Sequence, residues 1–320
     1  MISHHRNQHR HPSTRTSWPL ISWKLTLTED TVLYHGAQVA VKSTSVKSKQ
    51  EKRTTSKQAD PRRLKASKCL EFSVKRPEDK EKVDVKGVLC VSDKVVVVDI
   101  DNNMLKLFDN NGTYLSSTEL KDSTWGITYV RDSMFATCGG GNTVYLWTVR
   151  GQTIVSEDVS YHVDHNAQGI HYNGTYYCVL HNRDYNAITI LDRQGRQVRE
   201  IITKKACGKR FMFGWDIHMD SDTNNIYVPC HYADGVLCMT IDGKALWFTP
   251  LSDAWGITEI QGTLCVVNFS KRCLQLITKD GENVRQLLCK EDMGGKPKYV
   301  CYGQDDRLYV IYSVYDDNMA

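Results

Sequence analysis

The stretch WDIHMDSDTNNIYVPCHYADGVLCMTIDGKALWFTP, residues Trp215–Pro250, decides the fold. It contains four short runs rich in β-branched and aromatic residues, WDIHM, IYVPC, VLCMTI and ALWFTP, separated by segments of Asp, Asn and Gly. Such runs are typical of β-strands, and the small polar residues between them are typical of turns. Helical periodicity is absent. The stretch therefore predicts a unit of four short strands.

This unit recurs along the chain. The motif WDIH at Trp215 has counterparts in WGIT at Trp125, QGIH at Gln168, WGIT at Trp255 and KYVC at Lys298, which gives spacings of 43, 47, 40 and 43 residues. Glycines that end apolar strands keep a similar period, and they lie at Gly112, Gly151, Gly195, Gly243 and Gly281. Two markers that share one period predict a repeat protein in which each unit is a β-propeller blade.

The number of units predicts six blades and an all-β fold. Their inner strands are expected to start near Lys86, Trp125, Gln168, Trp215, Trp255 and Lys298. The last unit contains only YVCY and LYVIY before Ala320. Because an open ring exposes unpaired strand edges, we expect the apolar run Cys69–Val74 to supply a closing strand. Even with this strand, the last blade could be incomplete.

Charge divides the chain into two parts. Hydrophobic residues make up 41% and charged residues 24%, which excludes collagen-like, wholly disordered and coiled-coil proteins. Residues 1–66 carry 13 Lys/Arg against 4 Asp/Glu, a net charge of +9, and the rest carries 28 against 33, a net charge of −5. We predict a disordered basic tail over residues 1–66 and the propeller over 67–320. The apolar cluster in Trp18–Tyr34 is interpreted as weakly structured, with a short strand or a docking segment as alternatives.

The cysteines indicate the compartment. All 11 lie at Cys69 or later, and no two are spaced as Cys-x-x-Cys. An odd number of cysteines without a secretory signal favours reduced thiols and a cytoplasmic location. No stretch approaches the roughly 20 apolar residues of a membrane helix. We expect a monomer that has no membrane partner and no cofactor.

The repeat pattern resembles a known family. The order x-G-I, an apolar second strand and a third strand ending in Asp-x-x-Gly is similar to NHL-repeat propellers over about Lys68–Ala320. The motifs WGIT, VPCH and LDRQG look most like the C-terminal propellers of TRIM-NHL-like (tripartite motif) proteins of invertebrates. In that family the propeller binds substrates or RNA, and a RING domain carries ubiquitin-ligase activity. This sequence has no RING, B-box or coiled coil, so the resemblance implies a substrate-recognition module without ligase chemistry.

The predicted binding face surrounds one end of the central channel. Propellers gather there the loops that lead into the inner strands and those that join the second and third strands. Trp125, Trp215 and Trp255 open three inner strands; they either pack between blades or form an exposed aromatic surface for a peptide side chain or a base. The other candidates on this face are Tyr232, Arg183, Lys209, Arg210, Lys271, Arg272, Lys296 and Lys298.

A protein segment is the predicted ligand of this face. RNA bound by the same face and the basic tail is the alternative, although the basic residues could also be scattered surface charge. His171 and His218 lie inside inner strands and are interpreted as blade-packing residues.

An enzyme is the third hypothesis. Six-bladed propellers of the gluconolactonase and amidating-lyase groups hold a metal around the channel. Here Cys138, His181, Cys230, His231 and Asn268 end the second strands of successive blades or follow them, and they are candidate metal ligands for a lactonase- or lyase-like enzyme. The candidate bases are Asp99, Asp184 and Asp234. No nucleophile motif or phosphate loop is present, so we predict a protein without enzymatic activity.

Overall fold

Six four-stranded antiparallel sheets make up the computed structural model, which describes residues 19–27, 64–181, 187–202 and 214–313. Each sheet is one blade, and in the first five blades the first strand along the chain lies next to the channel. The predicted all-β, six-bladed propeller is therefore confirmed. Within these ranges no helix has the length and apolar character needed to span a membrane.

The first three blades follow one another along the chain. Blade 1 consists of β3 (Val85–Val91), β4 (Lys94–Asp99), β5 (Met104–Asp109) and β6 (Tyr114–Glu119). Blade 2 consists of β7 (Thr124–Arg131), β8 (Met134–Gly139), β9 (Thr143–Arg150) and β10 (Thr153–His162). Blade 3 consists of β11 (Ala167–Tyr172), β12 (Tyr177–His181), β13 (Ala187–Leu191) and β14 (Gln197–Ile202).

Blades 4 and 5 continue the same order. Blade 4 consists of β15 (His218–Met219), β16 (Ile226–Cys230), β17 (Gly235–Met239) and β18 (Ala245–Pro250). Blade 5 consists of β19 (Ala254–Ile260), β20 (Thr263–Asn268), β21 (Cys273–Thr278) and β22 (Val284–Leu288). Short 3-10 turns at His231–Ala233 and Lys290–Asp292 lie in loops.

The sixth blade closes the ring with strands from distant parts of the chain. It contains β1 (Pro19–Leu27), β2 (Leu64–Ser73), β23 (Lys296–Tyr302) and β24 (Arg307–Ser313), and its strand order is β2-β1-β24-β23. β1 is the third strand of this blade, and Leu20 pairs with Ile311. The inner strand β23 contacts both β19 and β3, so the ring is closed.

This blade corrects two expectations. The interpretation of Trp18–Tyr34 as weakly structured is wrong for residues 19–27, because Leu20, Ile21, Trp23 and Leu25 are buried in the core. The expectation of an incomplete last blade is also wrong, since β1 adds the missing strand and the predicted closing run Cys69–Val74 belongs mainly to the outer strand β2. The ring therefore includes residues from before the predicted boundary at residue 66. The remainder of the predicted tail, residues 1–18 and 28–63, lies outside the described residues.

The turn glycines lie in turns, as the repeat pattern predicts. All five have positive φ, the left-handed region that glycine adopts without steric cost. At Gly195 a Cβ would lie 1.9 Å from a ring atom of Tyr161. The Asp192 carboxylate accepts the N–H groups of Gln194 and Arg196, each at 2.9 Å. The Asp-x-x-Gly motif thus fixes the turn into the outer strand.

The glycine of the x-G-I motif lets neighbouring inner strands approach closely. A Cβ on Gly126 would lie 3.0 Å from the backbone nitrogen of Ile170 in the next blade. Asp216 stands at this position in blade 4. Its carboxylate accepts the N–H of Ile257 in blade 5 at 3.0 Å, so a side-chain hydrogen bond joins blades 4 and 5 there.

Candidate functional site

A narrow channel of about 200 Å³ runs between the inner strands of all six blades. We call the end where the inner strands begin the upper mouth; Trp125 and Trp215 lie there. We call the opposite end the lower mouth. It widens into a cavity of about 830 Å³ lined by residues such as Tyr172, His218 and Tyr302.

A row of four aromatic rings crosses the upper mouth. Trp125 stacks on Trp215, with ring centres 5.4 Å apart and planes at 13°. Trp215 lies 6.3 Å from Trp255, which stacks on Phe269 at 4.6 Å and 20°. All four side chains are partly exposed. Blade 3 contributes the buried Gln168 at the corresponding position, so Trp125 reaches Trp215 directly.

Lysine side chains flank this aromatic row. The Lys86 Nζ lies 5.2 Å from the Trp125 ring centre, Lys296 Nζ lies 5.5 Å from Phe269, and Lys298 Nζ lies 5.7 Å from Trp255. Burial lowers the pKa of Lys298 to about 8. Amino groups over aromatic faces are attracted to the negative face of the ring. The upper mouth therefore combines aromatic and cationic groups.

Asp253 fixes one end of the aromatic row. The Trp255 indole donates to its carboxylate at 2.9 Å, and the His231 Nδ1 lies 2.5 Å from the same oxygen. The His231 ring also meets Trp255 edge to face at 5.4 Å. His231, proposed from the sequence as a metal ligand, is therefore part of the aromatic surface.

The predicted basic residues divide into two groups. Lys271 and Arg272 lie in the loop after β20, where Asn268 Oδ1 accepts the Lys271 N–H at 3.0 Å. Arg183, Lys209 and Arg210 lie outside the described residues, and so does the side chain of Tyr232. Of the predicted face, the structure thus describes the three tryptophans, Lys271, Arg272, Lys296 and Lys298.

The candidate metal ligands do not share a centre. Cys138 and Cys230 are buried in the core. His181 contacts Thr189 Oγ1 at 2.9 Å and the Asn166 carbonyl at 3.3 Å, and burial lowers its pKa to about 4. Within the described ranges, no three His, Cys, Asp or Glu side chains are arranged to hold a metal ion.

The candidate bases have structural partners as well. Asp99 is buried and forms an ion pair of 2.7 Å with the buried Lys106. Asp234 accepts the Asp253 N–H at 3.1 Å. Asp184 lies outside the described residues. Neither described carboxylate therefore faces a candidate metal centre.

The lower mouth contains an ionisable network that the sequence did not reveal. His218 Nε2 lies 3.0 Å from Glu259 Oε2, and Glu259 Oε1 lies 2.8 Å from Lys279 Nζ. Lys279 also pairs with Asp220. Burial opposes ionisation of Asp220, but the hydrogen bonds from Lys279 and the Thr223 N–H lower its pKa to about 2. The network joins blades 4 and 5.

The two histidines line the channel, and their rings are in contact with planes tilted by 57°. The ring centres of His171 and His218 lie 4.2 Å apart, and the Met219 N–H donates to His171 Nδ1 at 3.2 Å. Burial and the neighbouring His218 hold the pKa of His171 well below its usual value. The interpretation of His171 and His218 as blade-packing residues is therefore incomplete, because both also line the channel. The sequence signal for this pair was that both histidines occupy the fourth position of their repeat motifs, QGIH and WDIH.

Comparisons with known proteins give the fold. No protein-family model matches this chain, and no curated protein sequence matches it. Hydrazine synthase from Kuenenia stuttgartiensis is similar in structure, with a TM-score of 0.51 and 12% identity over 71% of this chain and 73% of that one. The WD40 domain of Neurospora crassa Pan2 has a TM-score of 0.52 and 12% identity over 78% of this chain and 82% of that one. At this identity the likeness shows a propeller fold, which by itself does not decide between catalysis and binding.

Proposed function

We propose that the protein is a non-enzymatic interaction module that binds a protein segment at the upper mouth. The aromatic row from Trp125 to Phe269 carries this proposal. Partly exposed aromatic side chains that are held in place by their neighbours bind partners with little loss of conformational entropy, and they dominate many interfaces. Propeller domains such as WD40 domains commonly mediate protein interactions, which is consistent with this role.

The flanking charges suggest the chemistry of the partner. Lys86, Lys296 and Lys298 surround the row, so an acidic or aromatic side chain would find both a ring face and a cation. The carboxylate of Asp84 lies 2.8 Å from Lys86, and Asp253 lies behind Trp255. A phosphate backbone favours an uninterrupted positive surface. The mixed charge therefore favours a protein segment over RNA, which remains the second candidate because stacked tryptophans also suit bases.

The wider assignment rests on the sequence pattern. We propose that the propeller is of the NHL type and acts as a substrate-recognition module related to ubiquitin-ligase proteins. The buried free cysteines are consistent with a cytoplasmic location, because they serve as packing groups. The lactonase-like or lyase-like alternative has little support, since its candidate ligands have separate structural partners.

An affinity-capture experiment with the full chain tests the upper mouth. The wild-type protein is compared with Trp215→Ala, which removes the centre of the row, and with Phe248→Ala, an exposed aromatic on the outer strand of blade 4. We expect partners to be lost only in Trp215→Ala. Nuclease treatment and a salt series separate RNA, whose binding falls steeply with salt, from protein. Identical partners for all three proteins would show that the upper mouth is not the site.

A further inference from the structure

Two cavities on the lower side of the ring lie side by side and share part of their lining. The lower-mouth cavity of about 830 Å³ and a second cavity of about 540 Å³ share Val130, Tyr172 and Gly174 in their linings. The second cavity lies between blades 2 and 3 and extends to Arg131 and Arg193. We call the combined feature the lower groove. It leads from the channel to the rim.

Ordered tyrosines form the floor of the lower groove. The rings of Tyr161 and Tyr172 lie 5.5 and 4.4 Å from that of the buried Tyr177. The Tyr161 hydroxyl donates to the Arg193 carbonyl at 3.1 Å, and the Tyr172 hydroxyl donates to the Gly174 carbonyl at 3.0 Å. The half-exposed Val159 adds an apolar surface beside them. The floor is therefore preformed and suits apolar or aromatic side chains.

The rim end of the groove is positively charged. Arg131 and Arg193 line it and are exposed, and neither forms an ion pair with a described residue. Arg193 is oriented by a hydrogen bond of 2.6 Å to the Gly174 carbonyl. The nearby Glu157 is paired with Arg150 at 3.3 Å. Guanidinium groups bind carboxylates through two parallel hydrogen bonds, so an acidic side chain fits this end.

The channel end of the groove has acidic groups instead. The carboxylates of Asp220 and Glu259 both pair with Lys279, so two acidic groups share this cation. The aromatic rings of Tyr129 and Tyr302 line the same end. Carboxylates and aromatic faces together attract an alkylammonium or guanidinium group. A basic side chain therefore fits here.

We propose that the lower groove is a second binding site, which takes an extended protein segment from the rim to the channel. An acidic side chain of the segment binds Arg131 and Arg193, an apolar side chain lies on the tyrosine floor, and a basic side chain lies near Glu259. The two cavity volumes fall in the range of known ligand sites. This site is separate from the upper mouth and does not depend on it.

A phage-displayed library of random dodecapeptides is the probe. Selection on the full chain should enrich peptides in which Asp or Glu is separated from Lys or Arg by an apolar or aromatic residue. The enriched peptides are synthesised, and their dissociation constants are measured by fluorescence anisotropy. Arg131→Glu combined with Arg193→Glu should weaken binding by about tenfold or more. A peptide with Lys in place of the acidic residue should restore binding to this variant.

Two controls define what would overturn the proposal. Arg196→Glu reverses one charge in the same turn as Arg193, but Arg196 pairs with Asp192 at 2.6 Å and does not line the groove, so its effect should be small. Trp215→Ala should leave peptide binding unchanged, which separates this site from the upper mouth. The absence of enriched peptides, enrichment without the paired charges, or equal binding to the charge-reversed variant would each contradict the lower groove.

Discussion

The two mouths of the channel are built by the same inner strands and yet have different chemistry. In blade 4, Trp215 lies at the upper mouth and His218, three residues later, lines the lower mouth. The upper mouth has stacked rings with amino groups above them, whereas the lower mouth has imidazoles and carboxylates in an ion-pair network. One short repeat motif can therefore supply two sites, because an inner strand presents its beginning to one face and its end to the other.

The largest effect is expected from a substitution in the closing blade, because the ring that carries both mouths depends on this blade. Ile21 is buried in β1, opposite Val310, and the ring needs this strand to close. Ile21→Asp places an unpaired carboxylate in the core, so we expect the free energy of unfolding to fall by about 4 kcal/mol. Urea denaturation measures this change. Lys24→Asp, at an exposed position of the same strand, should change stability by less than about 1 kcal/mol, and equal losses would contradict a core role for Ile21.

Between the two mouths, Asp216 should make stability fall as pH rises. Burial raises its pKa to about 6 from the usual 3.8. The folded state therefore holds the proton more tightly than the unfolded state, and the stabilisation is complete below about pH 4 and lost by about pH 6. The difference in unfolding free energy between wild type and Asp216→Asn should fall over this window by up to about 3 kcal/mol. A difference that stays constant with pH would contradict this account of Asp216.

At the lower mouth, Asp220 should respond to pH in the opposite direction. Its pKa is about 2, since the hydrogen bonds from Lys279 and the Thr223 N–H outweigh the effect of burial. Its contribution is present above about pH 4 and is lost as pH falls towards 2. We expect the difference in unfolding free energy between wild type and Asp220→Asn to fall by about 2 kcal/mol across this range. Lys279→Met should reduce the difference, and no change in that variant would mean that another group lowers the pKa.

The smallest effect belongs to the upper mouth. Lys86 pairs with Asp84 at 2.8 Å and lies over the Trp125 ring. A double-mutant cycle of Lys86→Met and Asp84→Asn should give a coupling of about 0.5–1 kcal/mol, because the pair is partly hydrated. The coupling should decrease in high salt. A coupling that is insensitive to salt would indicate packing rather than charge.

The fold could be predicted wherever the pairing is local in sequence. The recurring WGIT-type motifs and the turn glycines specify four strands that follow one another, as in blades 1 to 5. The sixth blade could not be predicted in full, because the partner of Leu20 is Ile311 and no local pattern connects them. The apolar cluster Trp18–Leu27 was visible in the sequence, but its place in the ring was not.

The candidate site was predictable only in part for a similar reason. Three tryptophans at one position of the repeat indicated an aromatic surface at the upper mouth. Their arrangement as a row depends on Phe269, a loop residue at no repeat position, and on the burial of Gln168, which the repeat pattern does not reveal. At the lower mouth, Glu259 in β19 and Lys279 in the turn after β21 meet His218 of blade 4 only in the folded ring.

The closing blade also sets a minimum time for assembly during synthesis. Leu20 and Ile311 are 291 residues apart in the sequence, so β1 leaves the ribosome long before β24 exists. At typical elongation rates of about 5–20 residues per second, the delay is roughly 15–60 s. Throughout this interval β1 can pair with β2 only, and its other edge has no native partner. Chaperones that bind extended apolar segments would therefore be expected to meet Pro19–Leu27 first.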